Sequence, residues 1–230
     1  KGNEQPQPGI SMKKAKELTL SRALSVDNVL NHKFTGLPFE GIMHEVFGTP
    51  ERAGSWIIWG PSGSGKTTFN MQLARYISNF EKVIYNSLEE WPSSTIVQAY
   101  KRAGLSQGDK VLMVGETMKD FEARMLRKRS ANVMFIDSVK YTKFRWDDYE
   151  RFCKLFPGKI KIWIAHANGK EPKGGLAEDI RYDSHVKIYT EGYRAFITSR
   201  YSQGGSGYLD IWPEGAREYH GEIDKQTKGQ

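Results

Sequence analysis

Gly60-Pro61-Ser62-Gly63-Ser64-Gly65-Lys66-Thr67-Thr68 is the stretch whose reading decides the fold. It fits G-x-x-x-x-G-K-[ST], the pattern of a phosphate-binding loop. Glycines let the backbone curl around a phosphate chain and turn its N–H groups inward. Lys66 sets a point charge against the β- and γ-phosphates, and the Thr67 hydroxyl can ligate Mg²⁺. Residues 60–68 are therefore the candidate nucleotide contacts. The flanks agree with that reading. Residues 55–59 (SWIIW) form a short apolar run ending at the loop, and Phe69, Leu73, Tyr76 and Ile77 then recur at helical spacing. A helix starting there aims its positive end at the same anion.

Outward from the loop the pattern alternates. Strands are expected over 82–89, 111–114, 132–139 and 160–165, with helices over 94–103, 117–129 and 146–156 between them. Thr117 reads as a helix N-cap, and Gly104 and Pro157-Gly158 read as stops. Near-continuous apolar strands alternating with helices imply a parallel sheet covered on both faces. Residues 168–179, with three glycines, a proline and two lysines, read as a mobile loop. Antiparallel strands are expected over 186–190, 193–201 and 208–212, joined by Glu191-Gly192 and a glycine-rich turn at 203–207.

Three strand ends carry chemistry. Asp137 ends the run Val133-Met134-Phe135-Ile136, where a carboxylate needs a cation or donors to meet. In enzymes with a phosphate loop this is the second Mg²⁺-binding position; a capping or satisfied strand-end aspartate is the alternative. Glu89 and Glu90 follow another apolar strand, and parallel sheets collect ligands at the carboxyl ends of their strands. A carboxylate there can deprotonate a water for attack on the γ-phosphate. For Glu90, helix-entry charge ahead of Pro92 competes with that role. His166 ends the strand 160–165 and could hydrogen-bond the γ-phosphate; a surface histidine is the plain alternative.

Asn86-Ser87-Leu88-Glu89, Asp137 and Ala165-His166-Ala167-Asn168-Gly169-Lys170, taken with the phosphate loop, resemble the RecA-like ATPase family over about residues 50–212. The replicative hexameric helicase core and the RadA-type recombination ATPases are the branches it resembles most. The resemblance implies an α/β, RecA-like P-loop NTPase fold: a mainly parallel central sheet flanked by helices, with C-terminal antiparallel strands. It implies Mg²⁺-dependent ATP binding and hydrolysis, acting on DNA in recombination, repair or replication. By the same resemblance Glu89 is the catalytic base, Lys66 and Asp137 serve phosphate and Mg²⁺, and His166 couples the γ-phosphate to a DNA-binding loop containing Lys170, Lys173 and Gly174. Arg200, in Thr198-Ser199-Arg200-Tyr201, matches a basic residue that reaches a neighbour's ATP site, which implies a homo-oligomeric ring or filament on single-stranded DNA. The pattern departs from the helicase branch at Thr198, where Lys is usual. The stretch is read as a stand-alone core, similar to small phage or prophage recombination ATPases.

Composition sets the bounds. The chain has 230 residues, 38% hydrophobic and 27% charged, with a net charge of +7. That is ordinary for a water-soluble domain, and the modest basic excess permits a polyanionic partner without requiring one. The basic run Arg124, Arg127, Lys128 and Arg129 is read on a helix, as a second DNA-facing candidate or a solvated face. Cys153 is the lone cysteine, which excludes an intrachain disulfide and reads as a buried structural thiol. No apolar run reaches the length of a membrane span and no leader pattern opens the chain, so a cytoplasmic protein is expected. The expected organisation is a disordered tail at 1–13, an extension at 14–54 packed on the core with helices at 15–24 and 26–30, the ATPase domain at 55–214, and a polar tail at 215–230. Two other function classes fit a phosphate loop: a nucleotide or small-molecule kinase, and a KaiC-like regulatory NTPase that does not bind DNA. The residues that would stack on a base are not legible in the sequence.

Overall fold

The structure is a computed structural model and describes residues 23–31, 33–91, 93–204 and 206–221. The chain divides into two units, Lys1–Phe34 and Thr35–Gln230. In the first, the helix expected over 26–30 is present as α1 (Val26–Leu30), entered at Ser25, whose hydroxyl accepts from the Asn28 N–H at 3.2 Å. The tail at 1–13 and all but the last two residues of the helix expected over 15–24 lie outside the described residues; Leu24 is not helical.

The second unit begins with α2 (Gly41–Phe47) and centres on β1 (Gly54–Gly60). The rest follows in order: α3 (Lys66–Ser78), β2 (Val83–Ser87), α4 (Ser94–Arg102), β3 (Val111–Val114), α5 (Met118–Met125), β4 (Val133–Asp137), α6 (Val139–Thr142), α7 (Trp146–Leu155), β5 (Ile160–Asn168), β6 (Glu171–Pro172), α8 (Gly175–Asp183), β7 (Val186–Glu191), β8 (Arg194–Ser199), β9 (Ser206–Asp210) and α9 (Pro213–His220). The sheet runs β3-β2-β4-β5-β1-β7-β8-β9, with β6 paired to β5. Strands from β3 through β7 are parallel, and β7-β8-β9 are antiparallel.

The period-2 geometry of a strand explains why both faces are covered. In β1, Trp56 and Ile58 join one core while Ile57 and Trp59 join the other; in β5, Ile162 and Ile164 oppose Trp163 and Ala165 in the same way. On the first face α3 contributes Phe69, Leu73 and Ile77, and Leu37, Phe39, Val46 and Phe47 close the core from residues 37–47. On the second face α5, α7 and α8 contribute Phe121, Phe152 and Ile180. Strands buried on both sides must be apolar throughout, which is the run pattern the sequence carries.

Three expectations change. Residues 168–179 are ordered secondary structure rather than a loop: β5 continues to Asn168, turns at Gly169 (φ +60) and Lys170, returns as β6, and α8 begins at Gly175. Its glycines and lysines mask a buried pair, Ala177 and Ile180, at helical spacing. The basic run 124–129 is not a helical face, since α5 ends at Met125, Arg129 has φ +62 and Arg124 is ion-paired to Glu116. The polar stretch from Gly215 opens within α9, whose Gly215 and Ala216 are buried.

Candidate nucleotide site

β1 ends at Gly60, and the chain then turns through residues 61–65 into α3, whose first residue is Lys66. Glycine serves the turn because Gly65, the N-cap, has φ +89. The loop is tied from beside it: Ser64 Oγ lies 2.8 Å from Thr190 Oγ1 on β7, and Ser64 O accepts from the Tyr193 N–H at 3.2 Å. The Lys66 ammonium donates to Gly60 O at 3.1 Å, spanning the loop it serves. Burial draws its pKa down, with Asp137 and Glu89 opposing the shift. A half-desolvated ammonium with two carboxylates nearby is a strong receptor for phosphate oxygens.

The other strand ends converge because β2, β4, β5 and β1 are consecutive neighbours. Register fixes the depth: Ser87 pairs with Asp137, Asp137 with Ile164, and Gly60 with His166. The Asp137 C=O accepts from the Leu88 N–H at 2.6 Å and the Glu89 N–H at 3.3 Å, which sets the Glu89 side chain beside β4. Glu89 Oε2 then accepts from Ser138 Oγ at 3.2 Å and lies 3.1 Å from His166 Nε2. Glu90 lines the same cavity but is engaged at its α4 side, where its Oε2 accepts from Ser93 at 3.1 Å and Thr95 at 2.6 Å at the entry to α4. Burial holds the Asp137 carboxyl above the usual carboxylate range, against the Tyr85 hydroxyl that donates to its Oδ2 and the nearby Lys66. Such a carboxylate gains from a cation. A hydroxyl at Thr67, one carboxylate and phosphate oxygens form the oxygen-rich, few-ligand set that suits Mg²⁺. No cluster of three or more His, Cys, Asp or Glu side chains able to hold a metal occurs among the described residues, and a site completed by phosphate and water needs none.

These groups line one cavity of about 440 Å³. Of the residues expected from sequence, Pro61, Ser62, Gly63, Gly65, Lys66, Thr67, Thr68, Glu89, Glu90, Asp137 and His166 line it, while Gly60 and Ser64 do not. Arg200 does not come to it. That residue follows β8 in a turn, and its N–H donates to His185 O at 3.0 Å, at the end of the sheet where β1 starts. The β1 strand separates the two ends, about 20 Å at roughly 3.3 Å per residue. Lys170 and Lys173 sit on and just after the β5–β6 hairpin, outside the cavity; Lys170 O accepts from Trp59 Nε1 at 2.9 Å, and the Lys173 N–H donates to His166 O at 2.8 Å. Gly174 is the N-cap of α8.

The cavity also holds residues that the sequence did not single out: Thr95, Ile96 and Arg102 from α4, and Tyr193 from the β7–β8 turn. Arg102 is thus an arginine within the chain's own site. Thr95 and Arg102 are seven apart on one helix, two turns on the same face, and that spacing was the available signal. Cys153 is half-buried, its thiol 3.6 Å from Ser55 Oγ and pushed up by burial, far from the cavity.

A family model described as an AAA domain of the dynein-related subfamily matches residues 55–144. No curated protein matches the sequence. Among solved structures, the flagellar accessory protein FlaH from Methanocaldococcus jannaschii is 18% identical over 77% of this chain and 92% of its own, with a TM-score of 0.52. A KaiC-like protein from Pyrococcus horikoshii OT3 is 18% identical over 74% of this chain and 89% of its own, with a TM-score of 0.48. The chain has the RecA-like P-loop fold, mixed α/β with a mostly parallel sheet and antiparallel strands at its C-terminal side. With the matched AAA domain and the phosphate loop, it is a P-loop ATPase. No helix among the described residues is long and apolar enough to cross a membrane.

Proposed function

We propose that this ATPase is Mg²⁺-dependent, works on single-stranded DNA in recombination, repair or replication, and does so in the cytoplasm as a ring or filament of identical chains. The observation that carries the reading is the short path from the reacting centre to a basic hairpin. Glu89 meets His166 at 3.1 Å, and the His166 C=O accepts from the Lys173 N–H at 2.8 Å. A change at His166 on loss of the γ-phosphate therefore reaches Lys173 through one main-chain hydrogen bond, and the hairpin tip at Lys170 through β5–β6 pairing.

In this mechanism the loop N–H groups and Lys66 hold the β- and γ-phosphates. Thr67 and Asp137 would hold Mg²⁺, which would supply charge neutralisation for the phosphates. Glu89 takes a proton from the attacking water, fixed in place by Ser138 and His166. His166 reports the state of the γ-phosphate to the hairpin. Arg200 serves the site of a neighbouring chain, because it stands too far from its own. The transition state spreads negative charge over the γ-phosphate oxygens, and a guanidinium brought there accelerates transfer strongly. The test is the rate of phosphate release from ATP with and without single-stranded DNA. Stimulation supports the reading. Unchanged hydrolysis moves the protein to a regulatory NTPase that does not bind DNA, and transfer of phosphate to a nucleoside monophosphate moves it to a kinase.

A further inference from the structure

The β7–β8 turn holds a tyrosine in a costly conformation beside the phosphate loop. Tyr193 has φ +61, a left-handed backbone that a bulky side chain keeps only where its surroundings impose it. The two-residue hairpin turn imposes it here: Glu191 pairs with Arg194 around Gly192 (φ +51) and Tyr193, and such a turn needs positive φ at both central residues. Main-chain bonds then anchor the turn. The Tyr193 N–H donates to Ser64 O at 3.2 Å, and its C=O accepts from the N–H groups of Ile211 at 2.8 Å and Trp212 at 3.4 Å. The turn is thereby fastened to the loop on one side and to the approach to α9 on the other.

The result is a ring set against the nucleotide cavity. Tyr193 lines that cavity. A side-chain carbon at Gly65 would come within 3.3 Å of the Tyr193 ring, so the ring flanks the residue just before Lys66. Trp212 stands edge-on to it, ring centres 5.0 Å apart at 78°, and is 48% exposed. Gly215 leaves room for both: a carbon there would strike the Trp212 ring at 2.3 Å and the Tyr193 ring at 2.8 Å. The Tyr193 hydroxyl has no hydrogen-bond partner among the described residues. Phosphate binding requires none of this, since the loop N–H groups and Lys66 already supply it. An aromatic ring held next to a phosphate cradle is a surface on which a nucleobase can stack, since every base offers a flat face.

We propose that Tyr193 is the platform for the base of the bound nucleotide, braced by the edge of Trp212, and that the wider rings of a purine gain more from it than those of a pyrimidine. This rests on the nucleotide-site reading above. It is tested by titration calorimetry of ATP, CTP and base-free tripolyphosphate against the wild-type protein, Tyr193→Ala and Tyr193→Phe. The bonds that fasten the turn are main-chain bonds and do not depend on the ring. Tyr193→Ala should bind ATP roughly 5- to 150-fold more weakly, the usual range for losing one stacked base. It should bind tripolyphosphate as before, with a narrowed preference for ATP over CTP, and Tyr193→Phe should behave as wild type. Equal losses for ATP and tripolyphosphate would make the ring a brace for the loop alone and overturn the proposal, as would an unchanged ATP affinity. A wild-type protein that binds neither ATP nor tripolyphosphate would overturn the nucleotide site itself.

Discussion

Replacing Glu89 by Gln separates the chemical role of this residue from its structural one. Glu89 Oε2 is 3.2 Å from Ser138 Oγ and 3.1 Å from His166 Nε2, and the main-chain bonds to the Asp137 C=O position it. Gln has the same size, keeps an oxygen to accept from Ser138, and leaves those main-chain bonds untouched. The ion pair it could forfeit is partly open, with side-chain exposures of 37% for His166 and 29% for Glu89; pairs of that kind are worth up to about 1 kcal/mol. Loss of a general base costs on the order of 10²- to 10⁴-fold in rate, about 3 to 5 kcal/mol of barrier. The chemical effect therefore exceeds the structural one several-fold. Glu89→Gln should melt close to wild type, bind a fluorescent ATP analogue with near-native affinity, and release phosphate two to four orders of magnitude more slowly. Glu90→Gln should change the rate only a few-fold, because Glu90 is spent on Ser93 and Thr95 at the start of α4, a capping arrangement worth about 1 kcal/mol. A crippled Glu90→Gln beside an active Glu89→Gln would refute the assignment and put the base one residue further along.

Three further outcomes are expected. Joint Lys170→Ala and Lys173→Ala should weaken single-stranded DNA binding and flatten its salt dependence by roughly 0.7 for each DNA phosphate the variant no longer neutralises, while ATP affinity without DNA stays the same; an unaltered fluorescence-anisotropy isotherm removes the hairpin from DNA binding. Arg200→Ala should bind ATP yet turn it over poorly, and mixing it with Glu89→Gln should restore part of the activity, since a mixed junction can pair an intact glutamate with an intact arginine; absence of rescue, or turnover independent of protein concentration, argues against a shared site. His185 should make the fold acid-sensitive. Burial, then the charge of Arg200, with a smaller push from Lys161, holds its folded pKa below 6.5, while Asp183 and Glu51 oppose. The unfolded chain then binds more protons than the folded one between that lowered value and 6.5, so stability is full above 6.5 and drains as pH falls through the window. Melting temperatures from pH 7 to 5 should fall less steeply in His185→Gln than in wild type, and parallel slopes would clear His185 of the effect.

Much of this protein is legible in the sequence because it is local. The phosphate loop is one contiguous turn whose geometry depends on its own glycines and on the helix it starts. The buried strands announce themselves because a strand covered on both faces must be apolar at every position, as 133–136 is. Glu89, Asp137 and His166 could be picked out as polar residues ending such runs, yet their meeting is a property of the sheet. Only the order β2-β4-β5-β1 and its register bring three strand ends separated by tens of residues to one depth beside Lys66. The same holds for what was missed or misread. Arg102 and Thr95 enter the cavity because α4 packs along α3, Tyr193 because a distant hairpin is bonded to Ser64. The stretch 168–179 looked like a loop because its glycines and lysines outnumber the two side chains, Ala177 and Ile180, that the core takes up. Sequence by itself determines what depends on neighbouring residues, namely the loop, the buried runs and the chemistry available at their ends. Which of those ends face one another, and which side chains from elsewhere join them, was decided by tertiary structure alone, because strand pairing and helix packing satisfy hydrogen bonds and bury apolar surface between segments that share no local pattern.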